Sequence, residues 1–262
     1  MCGIAGSWSL RDRAFDADSV LGALRHRGPN DRGFETYHDA PGSVVLAHTR
    51  LSIIDLSDAG HQPMHSPDGR YSLIYNGELY NYRELRRELE ADGVRFHSDS
   101  DTEVLLAGWI RWGQSGLVRF KGMFAFVVYD RHARTLTCVR DAFGIKPLFY
   151  YFDGETFAFA SEVPALVLLL GRNPGINTRR AHDYLVHGWY DEREETFFQG
   201  VRHLLPSHTM TFDLATATLG EPQRWWWPSV AQTSELSFAD AAEHLRADRN
   251  PDRRAGIGNT CE

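Results

Sequence analysis

A cysteine directly follows the first methionine in a chain that begins MCGIAGSW. Removal of Met1 would leave Cys2 with a thiol and a free α-amine on one residue. An α-amine titrates near ~7.7–8.0, so it can take the thiol proton close to neutral pH and pass it to a leaving group. The alternative is a small buried thiol at the start of a strand. These first residues leave both interpretations open.

A second candidate for chemistry is the pair Asn76-Gly77 in the segment YNGELYNY. A side-chain amide next to an unhindered glycine N–H forms a donor pair suited to an oxyanion. The local alternative is an ordinary Asn-Gly turn that ends a strand and leads into a helix. The segment predicts the turn, and the oxyanion role stays a hypothesis at this point.

Two charged residues could hold a small substrate. Arg50 ends a predicted strand, where its guanidinium could form a two-pronged contact with a carboxylate. Asp101 falls in the first turn of a predicted helix, where the helix dipole favours a carboxylate that could receive an ammonium group. Either residue alone is interpreted as a surface charge, whereas both together would suit a zwitterionic amino acid.

We predict no metal site. His61 and His65 are separated by Pro63, so they cannot share a helical face, and no acidic residue lies at a ligand spacing from them. Cys2, Cys138 and Cys261 are too widely spaced for a zinc pattern, and their odd number does not suggest a disulfide framework.

The composition indicates a soluble globular protein of 262 residues, with 42% hydrophobic residues, 24% charged residues and a formal net charge of −7. No run of Lys and Arg suggests a nucleic-acid binder. No apolar run reaches membrane-spanning length, and Arg11, Asp12 and Arg13 interrupt any signal peptide. We therefore predict a cytoplasmic protein with no nucleic-acid or membrane partner.

Short segments rich in aromatic and β-branched residues predict strands at 44–50, 71–75, 123–129, 135–140 and 156–161. They follow one another in pairs rather than alternating with helices, which favours antiparallel sheets. Strand-like segments also occur within 196–214.

Helix-start signals accompany two apolar stripes. Asn81 with Glu84, and Ser100 with Glu103, each have the spacing of a capping box, in which two side chains bond reciprocally to the first helical amides. Further helices are predicted at 177–187 and 238–247, and the residues that follow have the composition of a frayed tail.

Several motifs in order make the chain resemble the glutaminase domain of glutamine-hydrolysing asparagine synthetases, a class II glutamine amidotransferase of the N-terminal-nucleophile hydrolase superfamily. The resemblance covers residues 2 to about 215. The motifs are MCGIAG, RHRGPND, TRLSIIDLSDAGHQPM, YNGELYNYREL, SDTEVLLAGW, GMFAFVVYD, RDAFGIKPLFYY and FASEVPAL.

The resemblance implies an α+β fold, a four-layer αββα sandwich of two antiparallel sheets, that hydrolyses L-glutamine to glutamate and ammonia. It implies that Cys2 attacks the side-chain amide to form a γ-glutamyl thioester, with Asn76 and Gly77 as oxyanion donors. The substrate residues that it implies are Arg50 for the carboxylate, the backbone of Leu51, Ser52, Ile53 and Ile54 along the site, and Glu78 and Asp101 near the α-amine.

The sequence departs from the family pattern at Asn30, where Asp is usual, and at Ala142, where Arg is frequent. Residues 216–262 are expected to be a linker and a truncated, partly disordered remnant of the synthetase-domain start. No Gly-Gly pair occurs in the chain, so we expect the ATP-binding loop that the resemblance would place in that domain to be absent from these residues.

The hydrolysis step should accordingly need no cofactor, with ATP and Mg²⁺ confined to the absent synthetase domain. The ammonia is expected to serve asparagine synthesis, or another amidation, by a separate synthetase domain or subunit. The alternative hypothesis is a non-catalytic remnant that binds glutamine or a partner.

Overall fold

The computed structural model describes residues 1–10, 16–38, 42–189, 193–228 and 236–248. The chain divides into two compact units, Met1–Trp226 and Trp227–Glu262. The predicted frayed tail after residue 248 lies outside the described residues. Among the helices that the structure describes, none is both long and apolar enough to cross a membrane.

The first unit is built mainly from β-strands. The strands in the described ranges are β1 (Gly3–Ser9), β2 (Asp31–Tyr37), β3 (Ser43–Arg50), β4 (Met64–His65), β5 (Tyr71–Leu79), β6 (Gly122–Asp130), β7 (Thr135–Arg140), β8 (Phe149–Phe152), β9 (Thr156–Ala160), β10 (Val201–His203), β11 (His208–Asp213), β12 (Thr218–Leu219) and β13 (Gln223–Arg224). The α-helices are α1 (Ala17–Leu24), α2 (Tyr82–Ala91), α3 (Asp101–Trp112), α4 (Val163–Leu170), α5 (Thr178–His187) and, in the second unit, α6 (Phe238–Asp248).

The strands form two sheets in which every described pairing is antiparallel, as predicted. The first sheet has the order β10-β8-β9-β1-β3-β2, and the second has the order β12-β11-β7-β6-β5-β4, with β13 also pairing with β11. The strands β1 and β3 are neighbours in the first sheet, with β3 next to the edge strand β2, and β5 and β6 lie side by side in the second.

Three apolar cores account for the four layers. The core between the sheets is rich in aromatic residues, with the rings of Trp8 and Phe212 4.9 Å apart. A second core joins α1 and α4 to the outer face of the first sheet around Leu166, and a third joins α2 and α3 to the second sheet around Leu105. The predicted αββα sandwich is therefore confirmed.

The capping boxes form only in part. Asn81 makes no cap for α2, because its side chain instead accepts from the Lys121 amide and donates to the Arg119 carbonyl, both at 3.0 Å. Ser100 does cap α3 by accepting from the Glu103 amide at 3.3 Å. The return bond is missing, since the Glu103 carboxylate accepts from the amides of residues 97 and 98.

The compact unit extends eleven residues past the boundary that we placed at residue 215. The ring of Trp225 stacks on Phe124 with centroids 6.2 Å apart, and its Nε1 donates to the Arg140 carbonyl at 3.1 Å. Together with the pairing of β12 and β13 against β11, these contacts make 216–226 part of the first unit.

Candidate active site

A cleft of about 130 Å³ opens where β1 and β3 of the first sheet face β5 of the second. It is smaller than the ~300–1,000 Å³ pockets that hold drug-sized ligands, and so suits a small metabolite. The structure brings all the candidate residues from the sequence to this cleft: Cys2, Arg50, Leu51, Ser52, Ile53, Ile54, Asn76, Gly77, Glu78 and Asp101.

Cys2 lies immediately before β1, and its backbone and thiol are both held. Its Sγ accepts from the Leu51 amide at 3.4 Å and donates to the Leu51 carbonyl at 3.8 Å, while Arg27 Nε donates to the Cys2 carbonyl at 2.9 Å. Burial raises the pKa of the Cys2 thiol, and the Leu51 amide opposes that rise. A thiol in this setting needs a nearby base to become a nucleophile.

The predicted turn at Asn76-Gly77 is wrong. Both residues lie inside the continuous strand β5, where Asn76 is opposite Ala125 and Gly77 is opposite Phe124 of β6. The long pairing with β6 outweighs the local turn preference of the dipeptide. Asn76 consequently lines the cleft from a paired strand rather than from a loop.

The side chain of Asn76 is fully buried, yet neither its Oδ1 nor its Nδ2 has a hydrogen-bond partner in the described protein. A buried amide without partners costs on the order of 1–3 kcal/mol, so such a group normally has a ligand or water to bind. Among the cleft residues, Asn76 is therefore the one whose unsatisfied donors most directly indicate a ligand.

Gly77 is required by close packing. A Cβ at this position would lie 2.5 Å from the Met123 carbonyl oxygen and 2.8 Å from the Phe124 Cα, both backbone atoms of the paired strand region. A side chain there would push β5 away from β6. The glycine therefore keeps the backbone of this strand close to its neighbour where both line the cleft.

Arg50 ends β3 and is almost fully buried. Its guanidinium donates to the Ser57 carbonyl at 2.7 Å and to the Asp55 carbonyl, which ties it to the loop that follows the strand. Gly60 packs against the guanidinium, where any larger residue would collide with it. A guanidinium has five N–H donors, so two carbonyl contacts leave capacity for a substrate carboxylate.

Asp101, at the start of α3, is also buried. Its Oδ2 accepts from the Tyr75 hydroxyl and from the Leu79 amide, both at 2.9 Å. Burial raises the pKa of the Asp101 carboxyl from 3.8 to about 6, so desolvation outweighs the helix-dipole stabilisation that the sequence suggested. Glu78 of β5 lines the same cleft. Together with Arg50, these carboxyls give the cleft the charges that a zwitterion requires.

Sequence reasoning gave no role to three further residues. Lys146, from the segment GIKPLFYY, lines the cleft although it is only 4% exposed. Arg27, from RHRGPND, holds the Cys2 carbonyl and pairs with Glu162 at 2.6 Å. Gln62, from GHQPM, accepts from the Tyr75 amide at 2.6 Å. All three occur in the motifs quoted above, and this was the signal in the sequence that could have identified them. Their contacts could not be predicted, because they depend on packing between residues distant in sequence.

The two residues that depart from the family pattern, Asn30 and Ala142, lie in different parts of the structure. The Asn30 side-chain oxygen accepts from the Ser52 amide at 3.0 Å, so it supports the loop that lines the cleft. A carboxylate could accept the same bond. Ala142 lies in the partly exposed turn after β7 and does not line the cleft.

His61 and His65 instead pair with carboxylates of the edge strand β2. His61 contacts Asp31 at 2.8 Å, and His65 contacts Glu35 at 2.9 Å. In the ranges that the structure describes, no group of three His, Cys, Asp or Glu side chains is arranged to hold a metal ion.

Comparison with known proteins places the chain in a family. The family profile described as a glutamine amidotransferase domain matches residues 1–226. The chain belongs to the glutamine amidotransferase domain family. It resembles the domain as it occurs in asparagine synthetases: a putative glutamine-hydrolysing asparagine synthetase of Mycobacterium bovis is 45% identical over 225 residues. Asparagine synthetase 3 of Bacillus subtilis is 32% identical over 257 residues.

The mycobacterial match covers 78% of this chain and the Bacillus match covers 94%. This chain spans only 34% of the length of the mycobacterial relative and 40% of the length of the Bacillus relative. The solved glutamine phosphoribosylpyrophosphate amidotransferase of B. subtilis superposes with a TM-score of 0.62 at 20% identity, over 87% of this chain and 50% of that chain. This likeness shows that the two chains share a fold. The predicted family and fold are thereby confirmed.

Proposed function

We propose that this glutamine amidotransferase domain hydrolyses L-glutamine to L-glutamate and ammonia, with Cys2 as the nucleophile. The observation that carries the proposal is the buried, unpartnered amide of Asn76 in the cleft that also contains Cys2. A strand-borne donor without a partner is suited to an oxygen that gains negative charge during the reaction.

In the proposed reaction, Met1 is first removed, so that Cys2 carries the free α-amine. This amine takes the thiol proton while Sγ attacks the amide carbon of glutamine, and Asn76 Nδ2 with the Gly77 N–H stabilises the oxyanion. The protonated amine then donates its proton to the departing ammonia. Water hydrolyses the resulting γ-glutamyl thioester, which releases glutamate and restores the thiol.

The charges of the cleft support a particular substrate orientation. Arg50 would receive the α-carboxylate, because its guanidinium is fixed by two backbone carbonyls and retains free donors. Asp101 and Glu78, which line the same cleft, would receive the α-ammonium. The backbone of 51–54 would lie along the substrate between these two groups and the Cys2 thiol.

We further propose that the ammonia serves an amidation site outside these 262 residues, with asparagine synthesis as the first candidate, since the curated relatives bear that name. In this scheme the residues after the first compact unit, 227–262, contain the connection towards such a site. Hydrolysis itself is proposed to proceed without a cofactor, and ATP and Mg²⁺ would be needed only for the amidation.

The proposal is tested by incubating the mature chain with L-glutamine and measuring glutamate and ammonia separately. Equal amounts of both products are expected, with no comparable release from D-glutamine, because the Arg50 and Asp101 contacts fix the configuration at the α-carbon. Calorimetric binding of L-glutamine without release of either product would instead support the alternative of a binding module and would contradict an active hydrolase.

A further inference from the structure

Lys146 is a buried lysine in the cleft whose position is fixed by its backbone. Asp141, itself fully buried, organises the turn after β7 through backbone amides. Its carboxylate accepts from the amides of Phe124, Phe143, Ile145 and Lys146 at 3.0–3.1 Å. The Lys146 carbonyl in turn accepts from Arg140 Nε at 2.9 Å. This lysine is therefore carried by an ordered turn rather than by a free loop.

The Lys146 ammonium makes no hydrogen bond and no ion pair with the residues that the structure describes, although the residue is 4% exposed. Burying a lysine in this way is unfavourable, because its charge loses water without gaining a partner. Accordingly, burial lowers the pKa of Lys146, and the nearby Arg27 lowers it further. Such a cost favours a role in the cleft over a role in packing.

The second cation near Cys2 is compensated. Arg27 Nε donates to the Cys2 carbonyl at 2.9 Å, but Arg27 Nη1 lies 2.6 Å from Glu162 Oε1. Glu162 also contacts His26 at 2.9 Å. The Glu162 carboxylate offsets much of the Arg27 charge, whereas Lys146 has no carboxylate at ion-pair distance among the residues that the structure describes.

Other charged groups on the surrounding elements act on Cys2 and Lys146. Arg50 at the end of β3 adds positive charge, whereas Glu78 of β5 and Asp101 of α3 add negative charge. Asp141, which accepts from the Lys146 amide, adds negative charge as well. In the chain that still carries Met1, burial lowers the pKa of the terminal amine, and the charges of Lys146 and Arg27 lower it further. Once Met1 is removed, the terminal amine is that of Cys2 itself. It then lies one residue closer along the chain to the Cys2 carbonyl oxygen, which Arg27 contacts.

We propose that Lys146 is a positioning residue for glutamine hydrolysis, which acts by disfavouring the protonated form of the Cys2 α-amine and so keeps that amine available as the base. This inference rests on the function proposed above. A cation close to an amine repels the proton that the amine would otherwise hold at neutral pH. The proton then comes from the thiol as the C–S bond forms, and leaves with the ammonia.

The test compares kcat/KM for glutamine hydrolysis from about pH 5 to about pH 10 in the mature wild type, Lys146→Met and Lys146→Arg. The acidic limb of this pH profile reports the pKa of the catalytic base in the free enzyme. In Lys146→Met it should move to higher pH by about 0.5–1, and in Lys146→Arg it should stay near the wild-type position. Lys121→Met is the matched control, since it removes the same charge from an exposed residue.

An unmoved acidic limb in Lys146→Met overturns the inference, even if activity falls evenly at every pH, because that pattern indicates packing alone. A wild type that releases no ammonia from glutamine instead contradicts the proposed function. In that case, NMR titration of the ¹⁵N-labelled Cys2 amine still decides the inference, with Lys146→Gln replacing Lys146→Met if the latter does not fold. The amine should titrate at higher pH without the lysine, and an identical titration would overturn the proposal.

Discussion

At the scale of single residues, the candidate site depends on polar groups that are buried at a cost in stability. The amide of Asn76 lacks partners, and the carboxyl of Asp101 has its pKa raised to about 6 by burial. Residue types and motif resemblance were sufficient to select these two positions. They did not indicate burial or the missing partners, because both depend on how the two sheets face each other.

Asn76→Ala should lower kcat for glutamine hydrolysis by about 10²–10³-fold with little change in KM, since it removes a donor that acts mainly in the transition state. The thermal midpoint should not fall by more than a few degrees, because the lost amide has no partner in the free protein. Steady-state kinetics and thermal unfolding measure both quantities. Asn173→Ala, at an exposed site outside the cleft, should leave kcat and KM unchanged.

Asp101→Asn should alter the pH dependence of folding stability. The Asp101 carboxyl holds its proton more tightly in the folded chain, so its contribution to stability is complete below about pH 3.8 and is lost as the pH rises through about 6. This rise in the pKa of Asp101 changes the free energy of unfolding by at most roughly 3 kcal/mol. Relative to the wild type, the variant should therefore gain stability between about pH 4 and pH 7.

Denaturant unfolding at a series of pH values checks this prediction. Parallel stability curves for the wild type and Asp101→Asn would show that the Asp101 carboxyl has no raised pKa in the folded chain.

At the scale of elements, strands with strong aromatic and β-branched patterns were predictable, and β3, β6, β7 and β9 lie within one residue of the predicted ranges at each end. The polar edge strand β2 and the helix α4 were not predicted. The sequence of α4, VPALVLLL, is apolar without periodicity, and its local helix signals are only Pro164 in the first turn and Gly171 after the last turn. Its helical state depends on packing against the first sheet and α1.

The pairing of β5 with β6 explains why Asn76-Gly77 continues a strand, and it also yields a prediction. Gly77→Ala should destabilise the fold by about 1–3 kcal/mol, because the added Cβ meets the backbone at Met123 and Phe124. Gly22→Ala is the contrasting variant. It lies in α1 with open space around it, so it should stabilise the protein by about 0.5–1 kcal/mol.

Urea unfolding of the two glycine variants gives both values. Equal stability of Gly77→Ala and the wild type would show that β5 does not need a glycine where it borders the cleft.

At the scale of the whole molecule, the family resemblance correctly predicted the four layers, and the first compact unit continues to Trp226, beyond the domain boundary predicted at residue 215. Composition changes little between residues 213 and 226, so the chain offers no local sign that β12, β13 and Trp225 still belong to the sandwich. Their place is determined by pairing with β11 and by stacking on Phe124, both distant in sequence.

A chain ending at Trp226 should therefore unfold at the same temperature as the first unit in the full chain, whereas one ending at residue 215 should unfold at a lower temperature. The shorter chain loses the stacking of Trp225 and its bond to the Arg140 carbonyl. Calorimetry of the two truncated chains measures the difference. Equal midpoints would show that 216–226 contributes nothing to the unit.

The most direct test of the central claim is glutamine-dependent ammonia release by three mature chains: wild type, Cys2→Ala and Cys138→Ala. Cys138 is buried in β7 away from the cleft and controls for the loss of a cysteine. We predict that the wild type and Cys138→Ala release ammonia, whereas Cys2→Ala has no release above the uncatalysed rate. Release by Cys2→Ala at the wild-type rate would contradict the account.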